Sequence, residues 1–415
     1  MLKTHHSAID SPDIRYAGRD VLSLALMDAR NHSLYLLMQG EPSLLEVASM
    51  PAEQPPALWV MGHLGWFQER WVGRNLQRHL GPRADPTSVR LASLEPHADR
   101  WWELPPSKPV APPQNHAPDL PTTQSYLLNS MESTLELLEK TPETDDALYF
   151  FRLALCHEDQ QGEALIEQAQ ALGLPLGISQ ASPGPVREPL CLPATRWLLG
   201  LDPASGGFAL ANEQPAREVQ VPEFEMDAQP VTWAQFVEFV DDGGYDRPEL
   251  WQPQGWQWAC HGGLPAQGGA RRAPRYVEQL GVASGAVMQT RFGVPRRMLG
   301  HQPAMHVTWW EADAWCRWAG RRLPAEVEWE LAAHTAARRG WRWGDVWEWM
   351  GTTYQPYPGY VPGPVDAESQ AAFGTHKVLR GASFATRARM KQPKFRHFAL
   401  PERDDLFVGF RSCAL

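Results

Sequence analysis

Cysteine is sparse and unpaired in this 415-residue chain. The five residues (Cys156, Cys191, Cys260, Cys316 and Cys413) are scattered, odd in number and never spaced as CxxC. That excludes a thiolate zinc site of ordinary spacing and a disulfide framework, and fits reduced thiols in a cytoplasm. Long apolar runs are missing as well, none approaching the ~20 residues of a membrane span. A basic surplus is missing: the net charge is −10, the wrong sign for a nucleic-acid or anionic-membrane partner. The opening residues, Met1-Leu2-Lys3-Thr4-His5-His6, lack the basic-then-apolar build of a signal peptide. No internal repeat or low-complexity tract is visible. What remains is globular in composition, 43% hydrophobic and 21% charged, and too long for one ordinary core, so two domains are expected. The abundance is tryptophan, with 19 residues. Their rings suit a core, or a cleft for a quaternary ammonium group.

Apolar spacing predicts four helices in a first domain, residues 1–180. They run from Gly18 to Gln39, from Pro56 to Gln77, from a Thr122 or Thr123 cap through Leu138, and from Asp145 to Leu172. The stretch from Gly81 to Pro121, with Pro105-Pro106 and Pro112-Pro113 in its second half, reads as one long loop. Helical periodicity stops around Leu174-Pro175 and again at Ser182-Pro183. Residues 181–415 then form an irregular α+β domain with helices from Thr232 to Asp241 and from Trp309 to Ala319. Short strand or turn pieces follow at Gly344 to Trp349 and Val378 to Phe384.

Four helices with one long crossover describe a bundle, and bundles place metal ligands on inward faces. On the fourth helix His157, Gln160 and Gln161 share a face, at i, i+3 and i+4. His63, on the second, supplies another imidazole. Two imidazoles from different helices plus one oxygen ligand leave open positions on an iron. The remaining histidines His5, His6, His32, His79, His97 and His116 read as surface residues.

Several motifs in the second half match a known pattern. They are Pro230-Val231-Thr232, His306-Val307-Thr308-Trp309, Arg322-Leu323-Pro324, Gly344 to Trp349, Leu379 to Phe384 and Val408-Gly409-Phe410-Arg411. On these the second half resembles the formylglycine-generating-enzyme-like domain, a C-type-lectin-like α+β fold. The paired catalytic cysteines of the true formylglycine-generating enzymes have no counterpart, since Cys316 and Cys413 stand alone. The first half resembles the DinB-like four-helix bundle. Joined in this order, the halves resemble the ergothioneine-pathway sulfoxide synthases, non-haem iron enzymes that use dioxygen to couple a thiol to hercynine, the betaine of histidine.

The resemblance implies Fe(II) as cofactor, dioxygen as co-substrate, and metal ligation by His63 and His157. The third ligand position, a histidine in that family, is Gln161; its carbonyl oxygen, a water, or a nearby acid (Glu158 or Glu163) are the candidates. The resemblance further implies Gln160, His397 and Phe398 at the hercynine pocket, Arg403 at the other substrate and Arg100 on a substrate carboxylate. The place of an aspartate found in synthases that take γ-glutamylcysteine is Ala399. No tyrosine matches the family's catalytic one, although Tyr354, Tyr357 and Tyr360 lie close in sequence. These departures resemble the selenoneine synthases, which join hercynine to a selenosugar. The expectation is therefore a cytoplasmic iron enzyme forming a carbon–selenium bond. A thiol-using sulfoxide synthase is the alternative, and a non-catalytic lectin-like binding module or a DinB-like thiol transferase are more distant ones.

Overall fold

The structure is a computed structural model that describes residues 8–39, 55–103, 118–178, 184–261, 269–281 and 286–415. The expectations for His5, His6 and His116, for the Pro105-Pro106 and Pro112-Pro113 pairs and for Ser182-Pro183 fall outside those residues.

Helices α1 (Arg19–Gln39), α2 (Ala57–Gln68), α3 (Ala98–Trp102), α4 (Leu120–Glu139) and α5 (Asp145–Leu172) form the first half. Helix α2 is apolar all round and buries every residue but Leu58, the pattern of a helix enclosed by others. It packs between α4 and α5, while α1 lies along α5. Helix α5 starts where the sequence places it. The Thr144 side chain accepts a hydrogen bond from the Ala147 N–H, and Gly173 ends the helix in the left-handed conformation, at φ 68°.

Three expectations change. Asp119, not Thr122 or Thr123, caps α4, because Pro121 fits the first helical turn, where its missing N–H is no loss. The stretch after Gly81 is not all loop: α3 forms within it and packs on α2. His32 is not a surface residue. It sits half-buried within α1, against Gly162 of α5.

In the second half the order is β1 (Leu190–Leu192), β2 (Thr195–Leu199), β3 (Arg217–Val221), β4 (Phe224–Met226), α6 (Trp233–Asp241), α7 (Pro253–His261), β5 (Val277–Gly281), β6 (Ala286–Arg291), β7 (Val294–Met298), α8 (Trp309–Trp318), β8 (Arg321–Arg322) and α9 (Glu326–Thr335). Then come β9 (Trp347–Thr353), α10 (Ala367–Ala372), β10 (Lys377–Gly381), β11 (His397–Ala399), β12 (Val408–Gly409) and β13 (Cys413–Ala414). Thr232 and Thr308 cap α6 and α8 through reciprocal bonds with Gln235 and Glu311. The strands make two four-stranded sheets, β1-β4-β13-β8 and β11-β10-β9-β12, plus a three-stranded sheet β5-β6-β7 and a hairpin β2-β3. All five cysteines are free, and no described helix is long and apolar enough to cross a membrane.

One apolar cluster runs unbroken from α1, α2 and α5 into α6, α8 and β9. Charged groups close the same seam. The Arg389 guanidinium donates twice to Asp159 of α5, at 2.7 Å each, and once to Asp28 of α1. Arg15 makes a two-pronged pair with Glu213 at 2.9 and 2.7 Å.

Removing one partner of a buried ion pair strands the other charge, at a cost of about 3–5 kcal/mol. Arg389→Ala is expected to lower the unfolding free energy in urea by about that much. Arg196→Ala breaks only the exposed pair with Glu218 and is expected to cost less than about 1 kcal/mol.

Candidate metal centre

His63 lies at the middle of α2 with Trp59 one turn before it and Trp66 one turn after. Both indoles stack on its ring, with centroids at 4.9 and 5.3 Å. The Nδ1 of His63 is 2.8 Å from the Trp102 carbonyl oxygen. A carbonyl only accepts, so Nδ1 carries the proton and Nε2 presents its lone pair. An orienting bond of this kind is what metal-ligating imidazoles ordinarily make.

Helix α3, which carries that carbonyl, is pinned at several points. The Trp59 and Trp66 indoles donate to Trp101 O and Asp99, each at 2.7 Å, and Arg74 grips Asp99 from the other side. Trp102 is fully buried, stacked on Tyr126 at 4.6 Å. It fits because position 62 is glycine: a Cβ there would lie 1.9 Å from the indole nitrogen.

The His157 ring, from α5, meets that of His63 edge to face at 5.3 Å between centroids, and Phe67 stacks on it at 3.7 Å. Two ring nitrogens each about 2 Å from one ion leave ring centres on the order of 5 Å apart. The Nε2 of His157 is buried with no hydrogen-bond partner, and a buried polar atom without a partner calls for an explanation. Burial pushes His63 down to about 4 and His157 well below the usual imidazole range, helped in His157 by the nearness of His63. Both rings are therefore neutral, the state that ligation requires. An iron ion fits this donor set.

Gln161, one turn beyond His157 on the same face, is half-buried. Gln160, also half-buried, accepts from the Cys156 thiol at 3.8 Å. The two acids that the sequence leaves as alternative ligands are committed elsewhere. Glu158 pairs with Arg30 at 2.7 Å, and Glu163 accepts from the Trp347 indole at 2.9 Å and from Ser383 and Thr386. Among the described residues no group of three or more His, Cys, Asp or Glu side chains is placed to hold a metal. Among the described residues, the donors brought together are thus the two imidazoles, with Gln161 one turn along the same helix face.

The other candidates fall on both sides of strand β11. His397 faces Trp347, with ring centroids 5.2 Å apart, and so lies toward the indole that reaches α5. Phe398, next along, points to the opposite face of the pleat. There it stacks on Tyr354 at 4.3 Å, while its ring centroid stays 5.9 Å from that of His397. Arg403 pairs with Asp405. Burial would lower its pKa, but Asp405, together with Glu167 of α5 and Glu368, raises it. Arg100 is exposed on α3. Of the three tyrosines near in sequence, Tyr354 bonds Ser369 and Asn212, Tyr357 bonds Glu326 and Tyr360 bonds Asp366, all within the second half. A cavity of about 210 Å³ beside Arg15, Tyr16 and Phe208 contains none of the candidate residues.

Sequence reasoning missed the Trp102 carbonyl, for which a backbone atom gives no signal. It also missed the stack of Phe67 on His157, a contact between helices that local spacing does not show.

The family model of the sulfatase-modifying factor enzyme 1-like domain matches residues 180–345 and 342–414. The chain belongs to that family. The family match covers the second half alone, whereas His63 and His157 precede it. Similarity to some curated proteins extends further. A hercynine oxygenase of Mycolicibacterium smegmatis is 29% identical over 418 residues, covering 86% of this chain and 90% of that protein. One from Mycobacterium tuberculosis is 30% identical over 410 residues, with the same shares covered. The formylglycine-generating enzyme of Streptomyces coelicolor is 31% identical over 187 residues, 42% of this chain and 58% of that one.

Burial lowers His32, His63 and His397 from 6.5 to about 4. Between those values the unfolded chain binds more protons than the folded one, so stability rises with pH across that window. Without metal, the urea midpoint is expected to fall as pH drops from 6.5 to 4. The slope should be shallower in His63→Gln, and an unchanged slope would contradict the burial of this ring.

Proposed function

We propose that this protein is a non-haem iron, oxygen-dependent enzyme that forms a carbon–selenium bond between hercynine and a selenosugar. The observation that carries the iron reading is the meeting of two neutral imidazoles from separate helices, one with a buried, unpartnered Nε2. Similarity to hercynine oxygenases across nine-tenths of their length supports hercynine as the acceptor. The selenosugar draws its support from Ala399, buried and apolar where an aspartate would meet a donor's ammonium. A second reading, with a thiol such as γ-glutamylcysteine or cysteine as donor in an ergothioneine-type reaction, fits the relatives equally well and differs only in the donor. The first half is then a DinB-like bundle, residues 1–180, holding the iron, with residues 181–415 closing the pocket.

Ferrous iron, when bound, supplies redox chemistry with dioxygen and lowers the pKa of a coordinated donor. The chain's own residues do the rest. The Trp102 carbonyl holds the Nδ1 proton of His63, so that Nε2 keeps its lone pair free in one fixed tautomer. Trp59, Trp66 and Phe67 exclude water from the pair, which strengthens every electrostatic interaction there. Gln160 and His397 are assigned to hercynine, with the Trp347 face beside His397 attracting the trimethylammonium. Arg403 is assigned to the donor. Holding the inert imidazole carbon of hercynine within reach of the chalcogen is the larger part of such catalysis. Phe398, in ring contact with His397 at 5.9 Å, is assigned to the same pocket, and Arg100, exposed on α3, to a substrate carboxylate.

Iron-loaded protein given hercynine and a 1-selenosugar under air is expected to take up oxygen and yield the carbon–selenium product, and with γ-glutamylcysteine in place of the selenosugar to yield no coupled product. His63→Ala and His157→Ala should each fold, retain less than about a tenth of the bound iron, and make no product. Turnover of γ-glutamylcysteine alone would move the assignment to the thiol reading. Protein that binds no iron and takes up no oxygen with hercynine would leave a binding role in place of catalysis.

A further inference from the structure

We infer that the metal site lacks the negative charge a buried divalent cation needs, and that an anionic chalcogen donor supplies it, so that metal and donor bind with positive coupling. This rests on the iron reading above and adds to it a thermodynamic order. A divalent ion among neutral ligands in a water-poor interior bears an uncompensated charge, which is costly. Two-histidine iron sites commonly meet that cost with a carboxylate.

Among the described residues, the carboxylates flanking His157 on α5 and Glu69 beside α2 are each engaged. Counting around α5 at 100° per residue, Glu158, Asp159 and Glu163 stand 100°, 160° and 120° away from His157. Each meets a dedicated partner on its own side: Arg30 for Glu158, Arg389 for Asp159, and the Trp347, Ser383 and Thr386 donors for Glu163. On α2 the ring neighbours of His63 and His157 are Trp59, Trp66 and Phe67. Glu69, at the end of that helix, is held by Tyr126, Ser93 and the Leu94 N–H. Gln161 alone stands 40° from His157, and its amide adds an oxygen but no charge.

A selenolate or thiolate brings the missing charge with it. Linkage then requires that the metal tighten the donor by the same factor as the donor tightens the metal. Substitutions at position 161 separate charge from ligand number. Gln161→Glu adds a charge, whereas Gln161→His adds a third neutral imidazole.

The test is chelator competition under anaerobic conditions, using Fe(II), or Co(II) as a redox-stable substitute, with and without a 1-selenosugar, γ-glutamylcysteine or cysteine. In the unsubstituted protein at least one of these donors should lower the metal Kd by about tenfold or more. In Gln161→Glu the metal should bind tighter alone, and the donor effect should shrink to less than about threefold. In Gln161→His the metal should also tighten, but the donor effect should persist. Metal binding that no donor alters, or a donor effect that Gln161→Glu leaves intact, overturns the inference while the iron reading stands. Absence of metal binding with or without donors removes both.

Discussion

A charge taken out of water must find a partner, and α5 is the element on which that constraint bears hardest. Eighteen of its 28 residues are buried, yet it carries Glu158, Asp159 and Glu163 in its middle turns. The helix divides these among different neighbours. Arg30 of α1 takes the first, and Arg389 and the Trp347 cluster of the second half take the other two. Because those partners lie on different sides, the rotation of α5 about its axis is fixed by several buried polar contacts at once. The direction in which His157 points follows from that rotation.

The remaining face is the opposite case, a place where polar atoms are kept neutral. The tryptophan and phenylalanine rings packed on His63 and His157 leave these rings neutral, and the Trp102 carbonyl fixes a single tautomer of His63. Helix α3 can deliver that carbonyl only because Gly62 leaves room for the Trp102 indole. A stretch that composition marks as loop thus becomes part of the ligand geometry.

Much of this was legible in the residues. An unbroken apolar repeat gave the limits of α5, and its face placed His157 with Gln161. The Thr232 cap likewise marked α6. Legibility failed where local signals competed or were silent. Two threonines stood near the start of α4, but the proline between them and Asp119 is tolerated in a first helical turn, so the cap lies further upstream. Helices α7 and α9 carry too little periodicity to stand out among tryptophans and glycines.

By itself, then, the sequence determined the helix that carries His157, the α+β character of the second half, and the pairing of residues 63 and 157 as candidates. These follow from short-range periodicity and capping, which depend on neighbours a turn or two away. Only the tertiary structure decided that the imidazoles meet, that Glu158 and Glu163 are unavailable to them, and that the Trp102 carbonyl orients one ring. Those outcomes depend on contacts between residues dozens to hundreds of positions apart, where packing and the need to pair buried charge select the partner.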